Sequence, residues 1–508
     1  MGAGGRVLQN VASGWVQFAL QIGVSLFLTP FVIHRAGLAA YGVFLLVESI
    51  LGYSEFLYLG LGSAISKYAA HYRATEDLEK MRRLGGTILG MYLACGGVLA
   101  LAVWAAAPLV PRAFRLDAVH AADAVFVARI IALSTGLAFP ASAFSGLLRG
   151  YEKIAALNYL KSGELLLRLV LIVGLLQPEG ALRTLAGVSF AVGLFGSLSR
   201  SLLGLVTLEV LPDPRQFRWA TLREVSGFSL FSFLGNVAER ILFRTDSIVI
   251  GAVISSSAIT AYAVPGRLIE YVRQLLMRFR EALQPTFAVL TSRGDQEGVR
   301  SMLANTGRWA AVLVLPLASM LAFGGAPFLH IWIGEEFKEA PWILGFLAIA
   351  QAVRAPSYAC EAVLWGGGRA GLIASLTVVE AVANLVLSLC WVGAYGIVGV
   401  AAGTMVPSLL LSAIVMPMLA CRVSGLPLPT FLWGTWGPTL AAALPMVALH
   451  ALLRPGTTGG VLDLAWRLAV GLLAYLPLAW WLGLNSADRE QIRVRLPRRG
   501  RDRPGRAR

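Results

Sequence analysis

Charge is scarce in this chain, and so are the residues on which most catalysis is built. Only 14% of its 508 residues are Asp, Glu, Lys or Arg. Five histidines, His34, His71, His120, His330 and His450, are scattered without metal-ligand spacing. The four cysteines, Cys95, Cys360, Cys390 and Cys421, lie in or beside apolar segments and share no CxxC spacing. They read as packing thiols, which excludes a disulfide framework and a thiolate metal cage. GxxxxGK[ST] is missing, so the chain has no phosphate loop for ATP, and GGGR at 366–369 reads as a helix-end loop. No nucleophile–base cluster is visible, so no catalytic residue, metal or cofactor is assigned and an enzyme is not expected. The start, MGAGGR, lacks the Ser or Thr of a myristoylation signal, and no small-residue cleavage site follows the first apolar run, which reads as a retained helix.

What is abundant is apolar. The hydrophobic share is 57% and the mean hydropathy +0.70. An all-α polytopic membrane protein follows, because helices satisfy their own backbone hydrogen bonds in lipid and porin-like alternation is absent. A bilayer core of roughly 30 Å takes about 20 apolar residues, and about fourteen such windows occur. They are placed at 11–33, 40–62, 85–107, 123–147, 156–177, 183–208, 226–250, 259–288, 303–325, 341–365, 370–392, 397–420, 433–453 and 464–484.

With the N-terminus in the cytoplasm, the even-numbered loops carry Lys67, Arg73, Lys80, Arg82 and Arg83, then Arg149 and Lys153, then Arg215, Arg218 and Arg223, and further arginines to Arg422. Opposite loops are acidic or mixed, as in GEEFKEA at 334–340. The positive-inside rule therefore predicts both termini inside. Residues 486–508 form a basic tail, read as a solvated stop-transfer segment near anionic lipid. The net charge of +15 is mostly topology and does not argue for nucleic acid.

The chain also matches itself. Pro140 with Pro356, Leu148 with Leu364, Gly150 with Gly366, Lys153 with Arg369, Leu160 with Leu376 and Glu164 with Glu380 all stand 216 residues apart. A fixed offset joining proline, glycine and glutamate points to duplication. It predicts six-helix bundles at 1–212 and 213–425, two additional helices within 426–485, and the tail. Six spans per copy preserve orientation, so the repeats are parallel and the substrate site is expected between them.

Ionisable residues inside spans are the candidate site. Glu48 and Glu55 share a face of the second span with Gly52 at the i, i+4, i+7 rhythm. Asn236, Glu239 and Asp246 lie near one stripe of the seventh, with Arg240 and Arg244 one turn apart beside it, a charged wall. The eighth span is too charged to face lipid: Arg267, Glu270, Gln274, Arg278 and Glu281 follow one face, with Arg273 and Arg280 flanking it. From Arg273 onward an interfacial helix with snorkelling arginines is the competing reading. On the fifth span Glu164 pairs with Arg168 by spacing; the second copy keeps Glu380 but has Asn384, so Arg168 is the better candidate for substrate contact. Arg129, Arg200, Arg354 and Glu361 are weaker candidates.

The segments TPFVIHRAGLAAYGVF, LFRTDSIVIGAVISSSAITAYAVPGRL and LLRGYEKIAALNYLKSGELLLRLVL, together with the span count and duplication, resemble the oligosaccharide flippases, Wzx-type polysaccharide biosynthesis proteins of the multidrug/oligosaccharidyl-lipid/polysaccharide exporter superfamily. The resemblance covers about 1–425. It implies a bacterial cytoplasmic-membrane protein that moves an undecaprenyl-pyrophosphate-linked oligosaccharide outward by alternating access, through a V-shaped cavity between the bundles. Membrane lipids, and polysaccharide polymerase or assembly proteins, are the implied partners. Arginines suit pyrophosphate or acidic sugars, and carboxylates and Asn suit hydroxyls; Asp246 carries over with Gly251 and Tyr262. Cation-coupled drug exporters tend to have an acid in the first helix and lipid II flippases a charge there, but 8–33 is uncharged. A cation-coupled multidrug antiporter, using Glu48 and Glu55, remains the alternative. A membrane-embedded glycan polymerase or ligase ranks below it, because no outer loop exceeds about 20 residues.

Overall fold

The computed structural model describes residues 3–58, 61–114, 116–334, 337–453, 460–485 and 489. The basic tail beyond Arg489 and the acidic pair of GEEFKEA lie outside them. Sixteen α-helices follow one another, and no strand occurs among the described residues. They are α1 Ala3–Ala36, α2 Leu38–Gly52, α3 Leu61–Ala74, α4 Leu78–Ala106, α5 Leu109–Ala113, α6 Ala118–Gly150, α7 Ile154–Leu175 and α8 Ala181–Thr207. Then come α9 Trp219–Val253, α10 Ser256–Ser292, α11 Gln296–Ile333, α12 Ala340–Gly366, α13 Ala370–Leu410, α14 Met416–Ser424, α15 Leu428–Leu452 and α16 Val461–Leu478. Nine helices within the described residues are long and apolar enough to cross a membrane. The protein is an all-α, multi-pass membrane protein.

Local chemistry sets the boundaries. Asp77 caps α4 by accepting from Lys80 N at 3.0 Å, and Asp295 accepts from Gly298 N at 2.8 Å at the start of α11. Gly396, at φ 59°, breaks α13 where the fused helix would otherwise be too long for one crossing. That break separates the expected spans 370–392 and 397–420. A π-helical turn, Leu411–Val415, precedes α14, whose Pro417 supplies no N–H to the turn before it.

The backbone repeats what the letters repeat. At the end of α6, Lys153 N bonds Leu148 O at 3.0 Å and Glu152 N bonds Arg149 O at 3.0 Å. At the end of α12, Arg369 N bonds Leu364 O at 2.9 Å and Gly368 N bonds Trp365 O at 3.0 Å. Both turns need a left-handed residue, Glu152 at φ 59° and Gly368 at φ 72°. Gly180 and Gly396 both have positive φ at the same 216-residue offset, and Glu76 and Gly294 at an offset of 218.

Two compact units are present. The first gathers the described residues of Met1–Arg267, Trp332–Ile343 and Ala370–Pro407; the second those of Leu268–Ile331, Leu344–Arg369 and Ser408–Arg508. Proximity thus divides the chain by another rule than repetition does. In the first unit α6 packs on α4 and α8, α1 on α7, and α9 on α2 and α3. Small residues permit a close crossing: a Cβ on Gly96 of α4 would strike the carbonyl of Gly136 on α6, and one on Gly136 would come within 2.8 Å of the Gly96 carbonyl. Residues 212–217 lie in a glycine notch of α4, at Gly85, Gly86 and Gly90, and Arg218 N donates to Thr87 Oγ1 at 3.1 Å. In the second unit α15 and α16 pack together, and buried His450 joins them to α11 through Ser319 at 2.9 Å and the Leu468 carbonyl at 3.3 Å.

Candidate functional site

In the first unit, α10 brings Arg267 to α1. Its Nη1 donates to Thr29 Oγ1 at 3.2 Å and lies 3.4 Å from Ser25 Oγ. Thr29 is 1% exposed and donates its own hydroxyl to Ser25 O at 2.7 Å, so its lone pair remains for the guanidinium. The same turn of α1 contains Pro30, and Trp332 Nε1 donates to Leu26 O at 2.5 Å.

Arg244 and Asp246 separate. Arg244 is exposed, reaching toward Gly52 of α2, while Asp246 is buried. The reason is helical phase: two residues apart on a helix, side chains point about 200° apart. Tyr262 of α10 donates to Asp246 Oδ2 at 2.6 Å, and Thr404 of α13 lies beside both. Thr404 accepts from Asn384 Nδ2 at 2.7 Å and is directed at Val400 O, 3.3 Å away. Asp246 Oδ1 and Asn384 Oδ1 find no donor among the described residues. Beside this network Tyr53 and Thr245 share a hydrogen bond, which ties the 3-10 turn after α2 to α9. The charged wall expected from 236–246 is therefore not a single face: Glu239 and Arg240 are half-buried, Arg244 is exposed and Asp246 is tied inward. The side chains of Asn236 and Glu55 lie outside the described residues, and Glu48 is half-buried on α2.

The spacing-based pair of Glu164 with Arg168 does not form. Glu164 bonds Arg200 of α8 instead. Gly196, one turn before Arg200, has no side chain, and a Cβ there would collide with the Glu164 carboxylate and come within 3.0 Å of Arg200. The notch draws Glu164 across to α8. Arg168 is half-buried on α7, with no hydrogen bond or ion pair among the described residues. Arg129 lies over the Trp104 ring, 5.0 Å from its centroid, a cation–π contact.

The second unit holds the rest of α10. Arg273 grips Glu270 with Nε and Nη2, each at 2.7 Å, and Gln274 Nε2 adds a bond to Glu270 at 2.9 Å. Arg273 folds back on its own helix, with its side chain only 16% exposed. Arg280 bonds Glu361 of α12 at 2.9 Å and stands 5.5 Å from the Tyr358 ring centroid. Arg354, also on α12, donates to Ser408 at 3.1 Å. Gln351, Arg354, Tyr358 and Glu361 are all buried and fall on one helical stripe, by i, i+3, i+7, i+10.

The model of the family described as "Polysaccharide biosynthesis protein" matches residues 79–341, more than half of the chain. The protein belongs to that family. Across 462 residues it is 21% identical to the uncharacterized membrane protein EpsK of Bacillus subtilis (strain 168), covering 87% of this chain and 88% of that one. The probable low-salt glycan biosynthesis flippase Agl15 of Haloferax volcanii is 23% identical over 182 residues, 36% of this chain and 39% of Agl15. Among solved structures, the inward-facing conformation of a multidrug resistance MATE family transporter superposes with a TM-score of 0.68 at 17% identity, over 79% of this chain and 95% of that one. A superfamily transporter from Pyrococcus furiosus Vc1, described by the reverse polarity of its binding pocket, gives 0.59 at 17% identity, over 83% and 96%. These likenesses establish the fold.

Within the first unit the polar groups that meet are Arg267 with Ser25 and Thr29 of α1; within the second they are Glu270, Arg273 and Gln274 of α10, and Arg280 with the stripe on α12. Sequence reading ranked Arg354 and Glu361 as weaker candidates; the approach of α10 gives Glu361 the partner Arg280. Trp332 carried no sequence signal beyond Pro30, which announces an orphan carbonyl four residues earlier without saying what meets it.

Proposed function

We propose that this family member translocates a lipid-linked oligosaccharide of the undecaprenyl-pyrophosphate type across the bacterial cytoplasmic membrane for surface polysaccharide assembly, by alternating access, with both termini in the cytoplasm. One observation carries the reading. The helix α10 runs 37 residues, Ser256–Ser292, yet is not among the helices apolar enough to cross by composition, because Arg267, Glu270, Arg273, Arg278, Arg280 and Glu281 punctuate it. A helix of that length and charge must be covered by protein or line a watered path. Its guanidinium groups suit pyrophosphate or acidic sugars, and its carboxylates and Gln274 suit sugar hydroxyls. Family membership supports the polysaccharide context. Asp246, Arg244, Arg240, Glu239, Asn236, Arg168, Glu164, Glu48 and Glu55 remain proposed cavity-side residues. Polymerase or assembly proteins are the proposed partners for handing on the flipped unit.

A deletion strain tests this directly. Mass analysis of its lipid-linked intermediates is expected to show an oligosaccharide retained on the cytoplasmic face, with Arg267→Ala failing to restore surface polysaccharide. Normal surface polysaccharide in the deletion, with no second flippase present, would sink the proposal.

A further inference from the structure

We propose that Trp332 is a positioning residue for transport: its indole N–H anchors α1 by satisfying the carbonyl that Pro30 leaves without a helical donor, and so sets where Ser25 and Thr29 hold Arg267. In an α-helix the carbonyl of residue i takes the N–H of residue i+4. Proline at position 30 has no N–H, and its ring pushes against the carbonyl four residues back, that of Leu26. Within a membrane such a carbonyl has no water to turn to, and leaving it unmet is costly. Trp332 Nε1 donates to it at 2.5 Å, from the last turn of α11. Immediately after that turn stands Gly334, at φ 78°, a conformation that glycine adopts without strain.

Leu26 stands between the two residues that receive Arg267. Ser25 Oγ lies 3.4 Å and Thr29 Oγ1 3.2 Å from Arg267 Nη1, and Thr29 is itself oriented by its bond to Ser25 O at 2.7 Å. Ser25, Leu26, Thr29 and Pro30 of α1 therefore carry both the backbone gap left by the proline and the hydroxyl pair, and a shift of this turn moves the pair relative to the guanidinium. Trp332 acts through Leu26 on Arg267 and does not touch the cargo. All of these residues belong to the first unit.

The chemistry predicts a specific rescue. Trp332→Phe keeps the ring and removes the donor, and should lower surface-polysaccharide output in the complemented deletion strain about 2- to 10-fold, the value of one hydrogen bond. Pro30→Ala restores an N–H at position 30, so the Leu26 carbonyl is met inside the helix and Trp332→Phe in that background should cost nothing further. A second readout is independent of cargo. In protein labelled with 15N-indole tryptophan, the resonance lost in Trp332→Phe should be shifted downfield and slow to exchange, and should move upfield in Pro30→Ala. Full wild-type output from Trp332→Phe, or a double variant whose loss is the product of the single losses, overturns the proposal, as does an indole resonance unmoved by Pro30→Ala. The effect on transport rests on the proposed function; a deletion without a polysaccharide phenotype defeats that function, and the resonance then decides the positioning bond, as it does if Pro30→Ala alone abolishes output.

Discussion

Glu76 and Glu152 are the non-glycine residues with positive φ among the described residues, at 55° and 59°, and each stands where the second copy has glycine, Gly294 and Gly368. A side chain in the left-handed region costs roughly 1 kcal/mol per residue, which glycine avoids. Glu152→Gly is therefore expected to raise the thermal denaturation midpoint in detergent, by an amount equivalent to at most about 1 kcal/mol once glycine's greater freedom in the unfolded chain is subtracted. No gain would mean that the Glu152 side chain contributes contacts of comparable worth. Tyr262 makes the opposite case. Its hydroxyl serves Asp246 Oδ2 at 2.6 Å in a buried setting, so Tyr262→Phe removes a short bond from a buried carboxylate that has little else to turn to than Thr404. A loss of about 1–3 kcal/mol is expected, read as a lowered midpoint in the same assay. Arg280→Leu should also be destabilising, because it removes a cationic partner of buried Glu361; losing one partner of a buried ion pair typically costs up to about 3–5 kcal/mol.

At the scale of the helix, association in lipid gains little from hydrophobic transfer, since lipid tails are as apolar as leucine, and depends on close packing. The crossing of α4 and α6 at Gly96 and Gly136 is of that kind, each glycine pressed on the other's carbonyl. Gly96→Ala is expected to cost about 1–3 kcal/mol through overpacking, measured by denaturation, while Gly97→Ala, with open space beside it, should be neutral or mildly stabilising. Equal effects at the two positions would show that helix propensity, not contact, decides. Helix α7 shows how far spacing can mislead: i, i+4 permits Glu164 to meet Arg168, but a permitted pair competes with every other cation in reach, and the notch at Gly196 favours Arg200.

Over the whole molecule, the left-handed turns at 152 and 368 recur at the 216-residue offset that first suggested duplication, and those at 76 and 294 at an offset of 218. The turns are local structures closed by their own backbone bonds. Replacing residues 75–77, Thr-Glu-Asp, by the Arg-Gly-Asp of residues 293–295 should thus preserve folding and membrane insertion, keeping the N-capping aspartate at 77. Loss of the folded monomer peak in detergent chromatography would show that the two turns are not interchangeable.

Most helix boundaries were legible in advance because they are local. Apolar windows, proline, glycine and the capping aspartates act within a few residues of themselves, and α10 declared itself by charge alone. The sequence by itself determined the all-α, many-span architecture, the repeat and the identity of the polar residues at depth. Only the tertiary structure decided their partners: Glu164 with Arg200, Arg280 with Glu361, Tyr262 with Asp246, and Trp332 with the carbonyl left by Pro30. These pairings join residues of different helices, and which of several compatible partners a buried group meets depends on distances that no single segment contains.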